Sequence, residues 1–172
     1  MEKRPYAYDI EQYPNYHCST WIDILNDNVR FFEIHPQSTK EDIKNYRNFI
    51  ISKVSVGIGF NNLEYDYPML HHFVENVKPH HTGDQINKAL KRYNDHIFSL
   101  EKKHTIRVQK PLFPQVDLFR IHHYNNKNKS QSLKGLQFEL GEDVVMETPI
   151  SFDKFISLNN NDREIIKYES DK

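Results

Sequence analysis

Cysteine is nearly absent from this sequence, and long apolar runs are missing altogether. One cysteine, Cys18, among 172 residues can form neither an internal disulfide nor a zinc site built from several cysteines. No apolar run is long enough for a transmembrane helix, and no apolar stretch follows the N-terminal charges as it would in a secretory signal. We therefore expect an intracellular, cytoplasmic protein without a membrane partner.

A large net charge is missing too. The chain carries a formal charge of −1, so the whole sequence lacks the basic signature of a nucleic-acid-binding protein. The charge is uneven, because residues 78–110 hold eight basic and three acidic residues while the remainder carries −6. This segment predicts either an arm that contacts phosphates or a solvated helix face. A glycine-rich phosphate loop and a serine nucleophile elbow are also absent, so neither nucleotide-triphosphate hydrolysis nor serine hydrolysis has support.

Alternating and helical apolar patterns predict an α/β fold. Strands are expected at 6–11, 16–25, 29–34, 54–60 and 116–119, and helices after 38–39 and at 64–76, 83–100, 132–140 and from 161 onward. The first three strands are close in sequence and predict an antiparallel meander. The fourth is short, apolar and preceded by a helix, which is typical of a buried strand reached by a crossover. The order predicts a single domain with a mixed sheet, an antiparallel meander plus parallel strands, flanked by helices.

Acidic residues stand at two places where such a sheet carries chemistry. Asp9 and Glu11 alternate on the first strand and so share one face. Two carboxylates this close repel each other unless a cation lies between them, and their oxygen ligands suit Mg²⁺ or Mn²⁺. Asp66 follows the fourth strand, where active sites of open α/β sheets lie. Asn61 and Asn62, just before it, favour a turn.

A third pair lies on the last helix, where Tyr168 and Asp171 are neighbours three residues apart. Each pair alone has an ordinary explanation in solvent exposure or core packing. Together and in this order they resemble the tyrosine branch of the DEDD superfamily of 3′–5′ exonucleases, most of all the proofreading domains of family-B DNA polymerases and their phage-type relatives. The residues that carry the resemblance are 8–11, 59–66 and 165–171, with 116–118, 132–134 and 140–141 between them.

This resemblance implies a ribonuclease-H-like fold and a two-metal hydrolysis of DNA to 5′-mononucleotides. It implies that Asp9, Glu11, Asp66 and Asp171 hold two Mg²⁺ or Mn²⁺ ions and that Tyr168 orients the attacking water. The substrate would be a single-stranded or frayed 3′ end. Residues that would contact it are the aromatic and amide side chains near the acids and three cations of the basic segment: Phe60, Asn61, Asn62, Tyr65, Lys88, Lys91 and Arg92.

The third motif departs from the family pattern, which usually places the acid four residues after the tyrosine. Asp171 lies only three after Tyr168, and the chain ends at residue 172 within the predicted helix. The sequence therefore also fits the N-terminal part of a longer polypeptide, with a polymerase in cis or in trans and a phage gene in a bacterial host as its setting. Two alternatives remain open: a weak or inactive exonuclease-fold module that binds nucleic acid or a polymerase, and an RNA 3′–5′ exonuclease.

Overall fold

Five strands form one mixed sheet in the computed structural model, which describes residues 2–78, 80–100, 108, 110–124, 132–133, 135–136, 141, 150 and 158–170. The strands are β1 (Arg4–Tyr13), β2 (Tyr16–Asp23), β3 (Val29–Ile34), β4 (Val54–Gly59) and β5 (Gln115–Asp117). The helices are α1 (Lys40–Lys53), α2 (Asp66–Asn76), α3 (Gly83–Ser99), α4 (Leu118–His123) and α5 (Asn160–Ser170).

The sheet has the order β3-β2-β1-β4-β5. The first three strands pair antiparallel, whereas β4 is parallel to both β1 and β5. Helix α1 connects β3 to β4, and α2 and α3 lie between β4 and β5 in the chain. The predicted mixed sheet, with a meander followed by parallel strands and flanking helices, is confirmed.

The longer helices begin where the sequence supplies complete caps. The Thr39 hydroxyl accepts a hydrogen bond from the Asp42 backbone N–H at 3.2 Å, and the Asp42 carboxylate accepts one from the Thr39 N–H at 2.9 Å. Thr82 and Gln85 make the same reciprocal pair at the start of α3. A cap of this kind contributes about 1 kcal/mol. Pro68 lies in the first turn of α2, as predicted, where its missing N–H costs nothing.

The two faces of the sheet are covered by different elements. Tyr6, Tyr8 and Ile10 alternate into a large core beneath α1, α2 and α3. Trp21 lies at its centre, stacked on Tyr8 with ring centroids 4.6 Å apart. A smaller cluster contains Tyr13, Tyr16, Cys18, Leu158 and Ile166. Because Ile166 belongs to α5, that helix packs on the sheet away from the first three.

Two boundaries differ from the predicted ones for reasons that hydrogen bonds show. Strand β5 ends at Asp117, and residues 118 and 119 begin α4, because the Asp117 carboxylate accepts hydrogen bonds from the N–H groups of Phe119 and Arg120. Strand β2 ends at Asp23, whose carboxylate accepts from Leu25 N–H at 3.0 Å and starts the turn. The helix predicted at 132–140 falls mostly outside the described residues, although Gly141 has the φ of 90° that suits a helix end. No helix among the described residues is both long and apolar enough to cross a bilayer.

Gly57 of β4 provides a test of this packing. A Cβ atom built there would lie 2.6 Å from the Phe113 ring and 2.9 Å from the Tyr8 ring. We expect Gly57→Ala to lower the free energy of unfolding by about 1–3 kcal/mol, because overpacking forces both rings to move. Ser55→Ala, on the same strand but less buried, should change stability by less than about 0.5 kcal/mol. Urea denaturation of both variants measures the difference, and equal stabilities would contradict the packing described here.

Candidate active site

Strand β1 extends beyond its neighbour β4 at the end where the acids lie. The β1–β4 register ends at Ala7 paired with Ile58, whereas β1 continues beside β2 as far as Tyr13 paired with Tyr16. The β4 side of β1 is therefore open from about Asp9 onward. The chain after β4 forms a short loop and then enters α2 at Asp66. The topology thus places the start of α2 beside the open edge of β1.

Asp9 and Asp66 meet at this edge. The backbone N–H of Ile10 interacts with both carboxyl groups, which places them side by side. Burial raises the pKa of Asp66 well above its ordinary value, and the charges of Asp9 and, less strongly, Asp117 raise it further. Burial also raises the pKa of Asp9, although Asp9 keeps an exposed surface while Asp66 is only 7% exposed. Asp9 is therefore open to a ligand, whereas Asp66 is buried.

Glu11 lies on the same face of the sheet as Asp9. Residues paired across antiparallel strands share a face, and Glu11 pairs with Cys18 of the smaller cluster. Burial raises the pKa of Cys18, and the charges of Glu11 and then Asp9 add to the shift. Burial raises the pKa of the Tyr65 hydroxyl too, with contributions from Asp66, Glu11 and Asp9 in that order. Asp9, Glu11 and Asp66 therefore all lie near enough to Tyr65 to raise the pKa of its hydroxyl.

Asp9 and Asp66 are suited to holding a divalent cation. Two like charges in a desolvated position cost free energy, and a cation between them offsets that cost. Their oxygen atoms are the ligands that Mg²⁺ and Mn²⁺ prefer. Within the described residues, however, no three carboxylate, histidine or cysteine groups are close enough together to hold a metal ion. The structure thus brings together two members of the predicted ligand set, with Glu11 nearby, while Asp171 lies outside the described residues.

Asp117 holds the loop that leads into Asp66. Its carboxylate accepts hydrogen bonds from the backbone N–H groups of Asn61 at 3.0 Å and Leu63 at 3.4 Å, in addition to those at the start of α4. Asn61 itself has a φ of 57°, which an asparagine tolerates better than most residues. The sequence analysis named Asp117 only as part of the region between the motifs and missed this role. The signal that could have revealed part of it is an aspartate directly before a short helix, which indicates a helix cap.

Asn62 supports the same loop from inside the protein. It has no exposed surface, and its side-chain amide donates to the Gln115 side-chain oxygen at 2.8 Å, which also accepts from the Tyr8 hydroxyl at 2.9 Å. A Cβ at Gly59 would lie 2.7 Å from the Asn62 Cβ, so the strand and the loop approach as closely as a glycine permits. This buried position differs from the expectation that Asn62 contacts nucleic acid.

The two aromatic residues of the second motif have different surroundings. Phe60 is half-buried and meets the Phe119 ring edge to face, with centroids 5.5 Å apart. The Tyr65 hydroxyl donates to the Asn94 side-chain oxygen at 2.7 Å, and its ring lies 5.5 Å from that of exposed Phe98. Phe60 therefore offers part of a ring to a ligand, whereas the hydroxyl of Tyr65 is engaged by α3.

Helix α5 lies on the sheet face of Asp9 and Glu11, since its Ile166 packs with Cys18. Tyr168 is 61% exposed. Two residues correspond to about 200° around a helix, so Tyr168 faces away from the packed side of α5. The helix therefore lies on the sheet face that carries Asp9 and Glu11, and the side chain of Tyr168 is largely exposed there.

The predicted phosphate contacts lie on the surface of α3. Lys88 pairs with Asp84 at 2.7 Å, and Lys91 forms an ion pair with Asp95. Arg92 is exposed. Exposed pairs four residues apart contribute only about 0.3–0.5 kcal/mol, so a phosphate can displace the carboxylates. The positive excess of the segment is therefore partly neutralised within α3 itself.

Comparisons of the chain with protein-family models, with curated proteins and with solved structures find no match. A functional proposal for this chain therefore rests on the geometry of the acid pair, its supporting loop and the surrounding charge.

The strained acid pair predicts a stability that falls as the pH rises. Because the pKa of Asp66 is raised on folding, the folded state binds its proton more tightly than the unfolded state, whose carboxyl has a pKa of about 4. The cost is absent below about pH 4 and complete above the folded-state pKa. Asp66→Asn should therefore raise the melting temperature at pH 8 and change it little at pH 4. Thermal unfolding followed by circular dichroism at both pH values measures this.

Glu2→Gln provides the control, because Glu2 is exposed and outside the acid pair. It should gain no stability at pH 8. Addition of Mn²⁺ or Mg²⁺ should raise the melting temperature of the parent protein more than that of Asp66→Asn, since a ligand that binds only the folded state stabilises it. A lower melting temperature for Asp66→Asn at pH 8 would show that the ionised pair is not a source of strain.

Proposed function

We propose that the protein is a divalent-cation-dependent nuclease with a ribonuclease-H-like fold, acting as a 3′–5′ exonuclease that hydrolyses DNA to 5′-mononucleotides. The observation that carries the proposal is the convergence of Asp9 and Asp66 on one backbone N–H with raised pKa values. Acids forced together in a desolvated position are characteristic of functional sites. A metal ion is the simplest group that makes their proximity favourable.

The architecture supports the same assignment. Three antiparallel strands followed by two parallel strands, in the order β3-β2-β1-β4-β5, suit the ribonuclease-H-like fold. The acid pair lies where β1 continues past its parallel pairing with β4 and just beyond the carboxyl end of β4, close to the usual position of sites in such sheets. The 3′–5′ direction and the preference for DNA rest on the resemblance of the three motifs.

In this proposal Asp9 and Asp66 hold the cations, and Glu11 adds negative charge at the same edge. Bound Mg²⁺ or Mn²⁺ supplies electrostatic stabilisation of the charge that develops on the scissile phosphate and lowers the pKa of water. Asp66 is kept in place by the Ile10 N–H, while exposed Asp9 is available from the solvent side. Tyr168 and Asp171 retain the roles of orienting the water and completing the ligand shell as part of the proposal.

The remaining contacts in the proposal belong to the substrate strand. The half-buried ring of Phe60 can stack on a terminal base, which binds single strands without reading their sequence. Lys88, Lys91 and Arg92 would follow the phosphates farther from the cut. Single-stranded or frayed DNA fits this open edge, and a polymerase in cis or in trans is the partner that the resemblance suggests.

A second candidate is a non-catalytic module with the same fold. It is favoured by the lack of a three-ligand cluster among the described residues and by the outward position of Tyr168. RNA is the alternative substrate for an active enzyme. Contact with a sugar 2′-hydroxyl decides between RNA and DNA.

A nuclease assay tests the proposal. Single-stranded DNA and RNA, each labelled at the 5′ end, are incubated with the protein in Mg²⁺, Mn²⁺ or chelator. We expect a ladder of shortened DNA only with a metal ion, and a loss of at least about 10²-fold for Asp9→Asn, since several kcal/mol of charge stabilisation depend on it. Glu2→Gln, at an exposed position outside the acid pair and the basic segment, should retain the parent rate. A folded parent protein that binds DNA but never cleaves it would favour the non-catalytic module.

Binding to DNA tests the basic surface of α3. The triple variant Lys88→Ala, Lys91→Ala, Arg92→Ala should bind single-stranded DNA more weakly for every sequence. The slope of log affinity against log salt should fall by slightly less than one for each lost phosphate contact. Lys3→Ala removes an exposed cation just before β1 and is the control. An unchanged slope in the triple variant would mean that α3 is only a solvated face.

A further inference from the structure

A groove of about 640 Å³ lies between α1 and the end of α2, within the size range of ligand sites. The first half of α1 forms one wall, and the residues that follow α2 form the other. The floor is aliphatic, because Ile43 is almost fully buried and Val77 is half-buried beside it. The polar part of the lining consists of Lys40, Glu41, Lys44, Arg47, Asn48, Glu75, Lys78 and His81.

The rim of this groove carries an excess of positive charge, because its lining holds four cations and only two carboxylates, Glu41 and Glu75. Among the described residues, neither Lys40 nor Lys78 has an ion-pair partner. Lys44 is paired with Glu41 at 3.9 Å, but both side chains are about two-thirds exposed, so this ion pair is weak. Arg47 donates from Nε to the Val74 carbonyl at 3.3 Å, which holds its guanidinium at the groove. A chain of net charge −1 thus concentrates four cations around one apolar floor.

The groove is separate from the acid edge. Ile43 belongs to the core beneath α1, α2 and α3, whereas Glu11 belongs with Cys18 to the opposite face of the sheet. Surfaces that bind single-stranded nucleic acid combine cations with aromatic rings on which bases stack. Apart from the imidazole of His81, the described residues that line the groove include no aromatic ring. Aliphatic side chains with a basic rim fit a peptide better than a nucleic acid.

We propose that this groove docks an acidic segment of a partner protein. One apolar side chain of the segment lies between Ile43 and Val77, and carboxylates on either side of it contact Lys40, Lys44, Arg47 and Lys78. The apolar anchor supplies most of the affinity, and the charges raise the association rate and select the partner. The proposal is independent of the nuclease activity, because it involves none of the active-site acids Asp9, Glu11 and Asp66.

Selection from a library of random 12-residue peptides displayed on phage tests the proposal with the intact chain as bait. The groove variant is Lys40→Ala, Lys78→Ala, and the control is Lys3→Ala, Lys53→Ala, which removes the same charge elsewhere. Val77→Ser keeps the charges and removes part of the floor. Circular dichroism confirms that each variant is folded. The affinity of selected peptides, made synthetically with a fluorescent label, is then measured by anisotropy.

We expect enriched peptides to contain aspartate or glutamate around an apolar residue. They should bind the control variant like the parent chain and bind the groove variant at least about tenfold more weakly. Replacing the apolar residue of the peptide by serine should weaken binding to the parent chain. The same replacement should weaken binding to Val77→Ser much less, because part of the apolar floor is already missing in that variant. Peptides without acidic enrichment, or equal binding to the groove variant, would overturn the proposal. Weaker binding of labelled oligo(dT) by the groove variant, with peptide binding unchanged, would instead assign the groove to nucleic acid.

Discussion

Asp9 and Asp66 lie close enough together for the charge of Asp9 to raise the pKa of Asp66, and the rest of the edge depends on holding the loop that carries Asp66 in this position. When both carboxyl groups are ionised, burial makes their repulsion strong. The loop is not free: Asp117 accepts two of its N–H groups. The amide of Asn62 anchors it to Gln115 on β5. The strain at the acid pair is thus borne by hydrogen bonds on a neighbouring strand.

That support includes two polar atoms without a partner. Within the described residues, Asn62 Oδ1 and Gln115 Nε2 are buried and have no hydrogen-bond partner. Each such atom costs about 1–3 kcal/mol relative to a satisfied one. The close approach of Gly59 to Asn62 leaves little room for relaxation. The loop that holds Asp66 therefore carries a cost in stability of its own.

The two faces of the sheet also carry different surface features. One face is closed by α1, α2 and α3 over an aromatic core, and its outer side carries the basic groove. The other face carries Asp9 and Glu11 and is partly covered by α5. On α3, Lys88 and Lys91 are paired with acids one turn away, whereas at the groove neither Lys40 nor Lys78 has an ion-pair partner within the part of the chain that the structure describes. Net charge over a segment therefore does not locate the surface that is most available to an anion.

The sequence by itself determined the order of strands and helices and the alternation that sends Tyr8 and Ile10 inward and Asp9 outward. Periodicity and helix caps are local, so they can be read from residues that are neighbours in the chain. Strand topology also placed Asp66 at the crevice of the sheet, whereas its shared role with Asp9 was implied only by the resemblance of the motifs. Asn62 was taken as a turn residue in contact with nucleic acid and a strand was extended through Phe119, because turn preference and apolar runs do not reveal burial or a cap.

Only the tertiary structure decided that Asn62 is buried, that Asp117 holds the loop, and that Lys88 and Lys91 are paired with acids of their own helix. These outcomes depend on contacts between residues far apart in the chain, such as Asn61 with Asp117 or Arg47 with Val74. Burial and charge compensation are sums over neighbours in space. A sequence names the groups that enter such a sum, but their distances are set by the packing of the whole sheet and its helices.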